Sequence, residues 1–125
     1  MATSDPWPTE LTYDAAAKIL RVTFDDARHF DLPAEYMRVE SPSAEVQGHN
    51  PVERVIVGGR AHVGIMELEP VGNYAVRIVF DDLHDTGIYS WRYLHELGAG
   101  YAERWRIYLE ALAAKGLSRE PARRT

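Results

Sequence analysis

The chain has 125 residues, of which 46% are hydrophobic and 26% are charged, and its formal net charge is −5 at pH 7. This composition is typical of a globular protein with one domain, and the acidic balance argues against a nucleic-acid binder, which would normally carry a basic patch. The absence of cysteine from the sequence excludes disulfides, cysteine nucleophiles and thiolate metal sites.

The ends of the chain carry no signal for a membrane or for export. The N-terminal residues lack the basic start and the apolar run of a signal peptide, and no apolar run approaches the roughly 20 residues that span a bilayer. We therefore expect a cytoplasmic protein with no membrane contact. Its single domain is predicted over residues 8–117, with flexible tails at 1–7 and 118–125.

The N-terminal half reads as three strands and a short helix. Leu20, Val22 and Phe24 alternate with polar residues, which is the period of a half-buried strand. Proline suits the first position of a helix. The predicted elements are a strand starting at Leu11 and Tyr13, a turn over 14–17, a strand over 18–25, a strand with Phe30 and Leu32 inward and His29 and Asp31 outward, and a helix from Pro33 to Arg38.

The C-terminal half reads as strands followed by helices. Gly58-Gly59 predicts a tight hairpin between 54–57 and 62–65. Further strands are expected over 66–70 and 74–80, around a turn at 70–73. The inward face of the second of these, a central strand, is predicted to be Tyr74, Val76, Ile78 and Phe80.

From Ser90 the apolar period changes to that of a helix. Ser90 is the expected N-cap and Gly98 the stop of a first helix, whose apolar face is Trp91, Leu94 and Leu97. A longer helix should end at Gly116 and bury Tyr101, Trp105, Leu109 and Leu112. The prediction is an α+β domain: a small antiparallel β-sheet with a short helix after Pro33 and C-terminal helices packed on the sheet.

Two polar segments, residues 38–50 and 80–91, are the candidate functional regions, since each places hydroxyls, carboxylates and a histidine next to a strongly patterned apolar stretch. In the second, His84 lies among Asp81, Asp82 and Asp85. Those carboxylates would raise its pKa and could form a weak oxygen-rich metal site, or the aspartates could simply bond to the amides of a turn. The sequence leaves the role of His84 open.

Catalytic motifs are weak. His29-Phe30-Asp31 has the H-x-D form of iron(II) oxygenases, but an exposed strand commonly carries such residues. Ser41 or Ser43 could pair with His49 or His84 as base, yet no G-x-S-x-G elbow is present. We therefore expect no enzyme activity and no cofactor.

Longer motifs point to a family. The runs that carry the resemblance are Leu32 to Arg38, Ser41 to His49, Glu69 to Val76 and Asp82 to Trp91. Together they resemble the bacterial gamma-butyrobetaine hydroxylase-like N-terminal domain family over about residues 8–97. The resemblance implies a small α+β domain whose members have long been of unknown function.

Two kinds of protein that contain a similar domain suggest possible functions. In carnitine-pathway oxygenases a similar domain precedes the catalytic one, binds a structural zinc and helps dimerisation. In some P-loop iron–sulfur carrier ATPases a similar domain is appended to the nucleotide-binding part. Neither catalytic domain is found in these 125 residues, so neither activity is expected of them.

The resemblance also locates the zinc site of the oxygenases. It places their three cysteines at Ser41, Ser43 and Val46 and their histidine at His84. Hydroxyls and a valine cannot replace three thiolates around zinc, so we expect a dismantled site that retains His84. The two segments should still meet, with the turn at His84 exposed, and a Ser–His–carboxylate network could join them without metal.

The leading hypothesis is a non-enzymatic binding or adaptor domain, a monomer or weak homodimer, with a protein partner linked to iron–sulfur cluster assembly, such as a carrier ATPase. The alternative is a metal- or small-ligand-binding module that uses His84, His49 and nearby carboxylates. The predicted binding surface comprises Arg38, Ser41, Ser43, Glu45, His49, Asp82, His84, Asp85 and Tyr89.

Overall fold

A computed structural model describes residues 6–48 and 54–121. The described residues form six strands and four helices, and the strands make two three-stranded antiparallel sheets. The predicted α+β class is confirmed, although the strands divide into two small sheets. None of the helices in the described ranges has the length and apolarity needed to cross a membrane.

The first sheet follows the predicted pattern closely. Its strands are β1 (Pro8–Asp14), β2 (Ile19–Phe24) and β3 (His29–Pro33), in the order β1-β2-β3. The side chains of Leu20, Val22 and Phe24 are at most 1% exposed, because alternate residues of the central strand all face the core. In the β1–β2 turn, Asp14 Oδ1 accepts a hydrogen bond from the Ala17 amide at 3.0 Å.

Two short helices connect the sheets. Helix α1 (Ala34–Val39) begins directly after β3, and Pro33 is its N-cap rather than its first residue. All six residues of α1 are buried, including Glu35 and Arg38. Helix α2 (Ala44–Gln47) begins four residues after Glu40, the C-cap of α1, and lies inside the first polar segment.

The second sheet has β5 at its centre, as predicted. Its strands are β4 (Ile65–Val71), β5 (Ala75–Phe80) and β6 (Gly87–Ser90). Val76 and Ile78 lie in the main core, and Trp91 and Trp105 pack against the same core from its edge. The inward placement of Tyr74 is wrong: the turn after β4 extends through Tyr74, so this residue precedes the alternation and is 58% exposed.

The predicted hairpin around Gly58-Gly59 is wrong. Residues 54–64, all in the described part of the chain, contain no strand. Their hydrogen bonds go to the C-terminal residues instead: the Gly59 amide donates to the Ser118 carbonyl at 2.8 Å, and the Ala61 amide to the Arg119 carbonyl at 2.9 Å. The first residues of the predicted C-terminal tail are thus bonded to this segment, and residues 122–125 lie outside the described ranges.

The two C-terminal helices are α3 (Trp91–Ala99) and α4 (Tyr101–Ala114). The Ser90 hydroxyl caps α3 as predicted, by accepting from the Tyr93 amide at 3.1 Å. Gly98 does not stop the helix. A Cβ there would lie 2.4 Å from the Phe30 ring, so the glycine allows helix and sheet to approach closely.

The apolar stripe of α4 differs from the prediction at one position. Tyr108 is buried with Leu112, whereas Leu109 is 39% exposed. The Tyr108 hydroxyl donates to the Val57 carbonyl at 2.6 Å, so segment 54–64 determines which helix face is covered.

Replacing Val76 by Asp should lower the free energy of unfolding by roughly 3–5 kcal/mol, because the carboxylate would be buried without a partner. The matched control is Ile88→Asp, which puts the same residue on the exposed face of β6, opposite Arg77. The control should cost less than about 1 kcal/mol. Urea unfolding of both variants measures this, and equal losses would contradict the placement of Val76.

Candidate functional site

The two polar segments meet at the side chain of His84. Ser41 and Ser43 follow the end of α1, and His84 lies in the turn between β5 and β6. The Oγ of Ser41 is 2.9 Å from His84 Nε2, and the Oγ of Ser43 is 3.4 Å from the same nitrogen. The structure therefore brings together the two segments that the resemblance aligned with the halves of a zinc site.

The second ring nitrogen of His84 faces a carboxylate. His84 Nδ1 lies 3.3 Å from Oε2 of Glu45, which belongs to α2. This contact favours the tautomer with a proton on Nδ1, and Nε2 then accepts the hydrogen bond from the Ser41 hydroxyl. The result is a Ser–His–carboxylate chain, with a hydrogen bond on the serine side and an ionic contact on the carboxylate side.

A second set of polar contacts holds the β5–β6 turn in place. The Phe80 amide donates to the His84 carbonyl at 2.9 Å, and the His84 amide donates to Asp82 Oδ1 at 3.1 Å. The other carboxylate oxygen of Asp82 accepts a hydrogen bond from Arg38 Nε at 2.8 Å. The same oxygen lies 2.7 Å from Arg60 Nε, but this ion pair lacks the geometry of a hydrogen bond. Burial opposes ionisation of Asp82, but the His84 amide and the two arginines outweigh it and lower the carboxyl pKa.

Most of the predicted binding surface is buried. Ser41 and Tyr89 have no exposed area, and Arg38, Ser43 and His84 are 7–8% exposed. The turn expected to be exposed is exposed at Asp81, Leu83 and Asp85 but not at His84, whose ring contacts Ser41 and Ser43 through Nε2 and Glu45 through Nδ1.

The remaining predicted residues are more accessible. Glu45 and Asp85 are exposed and Asp82 is half-buried. His49 lies outside the described residues. The buried Tyr89 hydroxyl donates to the Met37 carbonyl at 2.5 Å, and burial raises the pKa of this phenol, which keeps it protonated as a donor.

The pKa of His84 is lowered, in contrast to the expectation that nearby aspartates raise it. Burial is the largest cause, because it disfavours the charged ring, and the positive charge of Arg38 acts in the same direction. These effects outweigh the attraction of Glu45, Asp82 and Asp85. His84 is therefore neutral at pH 7, which suits its role as an acceptor.

The Ser41–His84–Glu45 chain has the order of a hydrolase triad, but it lacks room for a substrate. Ser41 Oγ is fully buried, and a methyl group placed on Gly87 would lie 2.6 Å from it. Even that methyl would be too close, so an acyl group cannot reach the hydroxyl in this conformation. What the geometry supports is a structural connection between α1 and the β5–β6 turn.

The H-x-D motif is a surface pair. His29 Nε2 is 2.7 Å from Asp31 Oδ1, and His29 Nδ1 is 2.9 Å from the Thr23 hydroxyl, so both ring nitrogens already have protein partners. Over residues 6–48 and 54–121, no group of three or more histidines and carboxylates has an arrangement that could hold a metal.

Sequence reasoning missed one exposed feature at this site. Leu83, at the tip of the β5–β6 turn, is 82% exposed and has a φ of 73°. The left-handed conformation is common for glycine and asparagine but not for leucine. No sequence signal marked it, because an apolar residue between charged ones in a turn usually points inward.

The low pKa of His84 makes its contribution to stability pH-dependent. The unfolded ring titrates near pH 6.5 and the folded ring titrates below that value. The stabilisation is thus fully present above about pH 6.5 and is lost as the pH falls through that value towards the folded pKa. His84→Gln should lower the free energy of unfolding by about 1–3 kcal/mol at pH 7.5. The difference in free energy of unfolding between this variant and the wild type should be smaller at pH 5.

Urea unfolding of both proteins at several pH values checks this. The other four histidines are present in both proteins, so the comparison isolates the effect of His84. A gap that stays constant from pH 7.5 to pH 5 would show that His84 does not resist protonation.

Comparison with known proteins gives the family. The family model described as "Gamma-butyrobetaine hydroxylase-like, N-terminal" matches residues 11–95. No curated protein matches the chain.

Solved structures extend the likeness to the whole fold. Two NMR solution structures are similar: one is 41% identical, covers 98% of this chain and 96% of that one, and has a TM-score of 0.83. The other is 42% identical, covers 100% of this chain and 95% of that one, and has a TM-score of 0.82. A crystal structure of a DUF971-family protein of unknown function from Acidithiobacillus ferrooxidans is 38% identical over 77% of this chain and 99% of that one, with a TM-score of 0.65. The chain therefore belongs to the gamma-butyrobetaine hydroxylase-like, N-terminal family.

Proposed function

We propose that this domain is a non-enzymatic adaptor that binds a protein partner through the β5–β6 turn, residues 81–85. The observation that carries the proposal is the exposed, left-handed Leu83 at the tip of that turn. The rest of the site supplies rigidity and charge around it.

The conformation of Leu83 supports a role outside the domain. A left-handed backbone costs a residue with a side chain about 1–2 kcal/mol, and such strain concentrates at functional positions. With 82% of its surface exposed, the side chain contributes little to the core. Most of the apolar surface of this side chain would be removed from water only when a partner covers it.

The buried network supports binding by keeping the turn in one shape. His84 and Asp82, the residues on either side of Leu83, are fixed by Ser41 and Arg38 respectively. A turn ordered before binding loses less conformational entropy when a partner docks. This gives the Ser–His connection a functional use without any chemistry at Ser41.

Charge around the turn indicates the kind of partner. Asp81 and Asp85 are exposed in the same turn as Leu83, and the exposed Glu45 contacts His84 next to it. Arg77 offsets part of this charge through a 3.4 Å contact with Asp85. The complementary surface is an apolar pocket with a basic rim, and the first candidate is an iron–sulfur carrier ATPase, since a similar domain is appended to some of those proteins.

Leu83→Asn separates binding from folding. Asparagine tolerates the left-handed backbone, so the free energy of unfolding should stay the same or rise by up to about 1 kcal/mol. Affinity for the carrier ATPase should fall by about tenfold or more, as for an apolar anchor at the centre of an interface. Calorimetric titration of the purified partner measures this.

The control for that experiment is Leu109→Gln, which removes another exposed leucine from the far end of the chain, on α4. It should leave affinity unchanged. Equal affinity of the wild type and Leu83→Asn would refute docking through the turn. No binding of the wild type would reject the carrier ATPase, and the same pair of variants should then be applied to a partner isolated from native extract.

The alternative function, a metal-binding module centred on His84, is distinguished by metal content. We expect no stoichiometric zinc after exhaustive dialysis of untagged protein, because Ser41, Ser43 and Val46 stand where the related oxygenases have cysteines. Elemental analysis measures this, and one tightly held zinc per chain would favour the metal-binding module over the adaptor.

A further inference from the structure

We propose that a cleft on the α4 side of the domain binds a small organic carboxylate with an apolar tail. The cleft lies between Glu40 at the end of α1, the segment 54–56 and α4, and its volume is about 410 Å³. This size is in the range of small-molecule sites. The site uses none of the residues of the 81–85 turn, so it is independent of the proposed adaptor function.

The positive and negative charges of the described residues that line the cleft are unbalanced. The Glu40 side chain is only 5% exposed, and one of its carboxylate oxygens is the partner of two arginines. Arg54 Nη2 makes a close ion pair with it, and Arg104 Nη1 is 3.8 Å from the same oxygen. Among the described residues, two guanidinium groups therefore face one buried carboxylate, which leaves one positive charge in excess.

The other contacts of these arginines within residues 6–48 and 54–121 do not offset that charge. Arg54 Nη1 donates to the Gln47 side-chain oxygen at 3.2 Å, and the Arg104 guanidinium lies 5.9 Å from the centre of the Tyr93 ring. An amide and an aromatic ring orient a cation but carry no net charge. Both arginine side chains also remain about one-third exposed, at 30% for Arg54 and 34% for Arg104, and so are accessible to a ligand.

Much of the remaining lining of the cleft is apolar. It is formed by Ile56, Ile107 and Ala111, and Ile107 is 51% exposed although it lies on a packed helix. The hydroxyl of Tyr108, which also lines the cleft, already donates to Val57. A ligand that fits therefore has its anionic group at the arginines and its apolar part against the isoleucines.

A carboxylate fits this arrangement better than other ions. One negative charge balances the single excess positive charge, and a planar carboxylate matches the donor geometry of a guanidinium. A phosphate dianion would leave the site negative beside the buried Glu40, and an ammonium group would be repelled. Both a free short-chain acid and the C-terminal carboxylate of an apolar peptide provide this chemistry.

The test is an NMR titration of amide shifts in the wild-type protein with hexanoate. N-acetyl-leucine represents a peptide C-terminus, and hexanamide and hexylamine are controls with a similar tail and a different head group. We expect saturable shifts confined to residues near 40, 54–56 and 104–111, with hexanoate or N-acetyl-leucine but not with the controls. The tighter of the two acids identifies the source of the carboxylate.

Two variants give opposite expected changes. Arg104→Gln should weaken binding by about fivefold, since it removes one charge-assisted contact and leaves Arg54 paired with Glu40. Glu40→Gln should tighten binding, since it frees both arginines for the ligand. Non-saturable shifts, equal binding of hexanamide, or an unchanged affinity in Arg104→Gln would overturn the proposal, and Glu40→Gln provides the test if Arg104→Gln fails to fold.

Discussion

The hydrogen bond between Ser41 and His84, at 2.9 Å, connects the end of α1 to the turn between β5 and β6. The arrangement of both polar segments depends on it, because α1 continues the first sheet and the turn belongs to the second. Arg38 and Asp82 make a parallel connection at 2.8 Å between the same two elements. One neutral and one charged contact thus add to the shared apolar core in fixing how the two small sheets stand relative to each other.

A buried polar connection of this kind stabilises only if its members are satisfied. His84 meets this requirement at both ring nitrogens, and Asp82 accepts from a backbone amide and from Arg38. The exceptions in the described residues are Arg60 Nε and Arg38 Nη1, which are buried without a hydrogen-bond partner. The positive charge of Arg38 nevertheless acts together with burial to lower the pKa of His84, which supports the acceptor role of the histidine.

The local parts of this structure could be predicted from the sequence, because they depend on period and capping. The alternation in β2, the central position of β5 and the Ser90 cap all follow from residues close together in the chain. The juxtaposition of Ser41 and His84 followed from the family resemblance, since two segments that hold one ion in the relatives must meet.

What could not be predicted depends on contacts between distant residues. Gly58-Gly59 indicates a bend but not its partner, and the partner is the C-terminal segment. The burial of His84 depends on residues distant in sequence, such as Ser41. Burial and the charge of Arg38 lower the pKa of His84 by more than the neighbouring aspartates raise it. The exposure of Leu83 was not predicted, because its left-handed backbone is rare for leucine and no residue type in the turn indicates it.

The bonds from Gly59 and Ala61 to Ser118 and Arg119 also bear on the order of folding. They close a long loop, and loop-closure entropy makes such contacts unfavourable until much of the chain between them is ordered. During synthesis the hairpins of the first sheet are complete long before Ser118 leaves the ribosome. The segment 54–64 therefore becomes ordered only after Ser118 and Arg119 have been synthesised, and the part of the cleft beside Arg54 acquires its final shape with them.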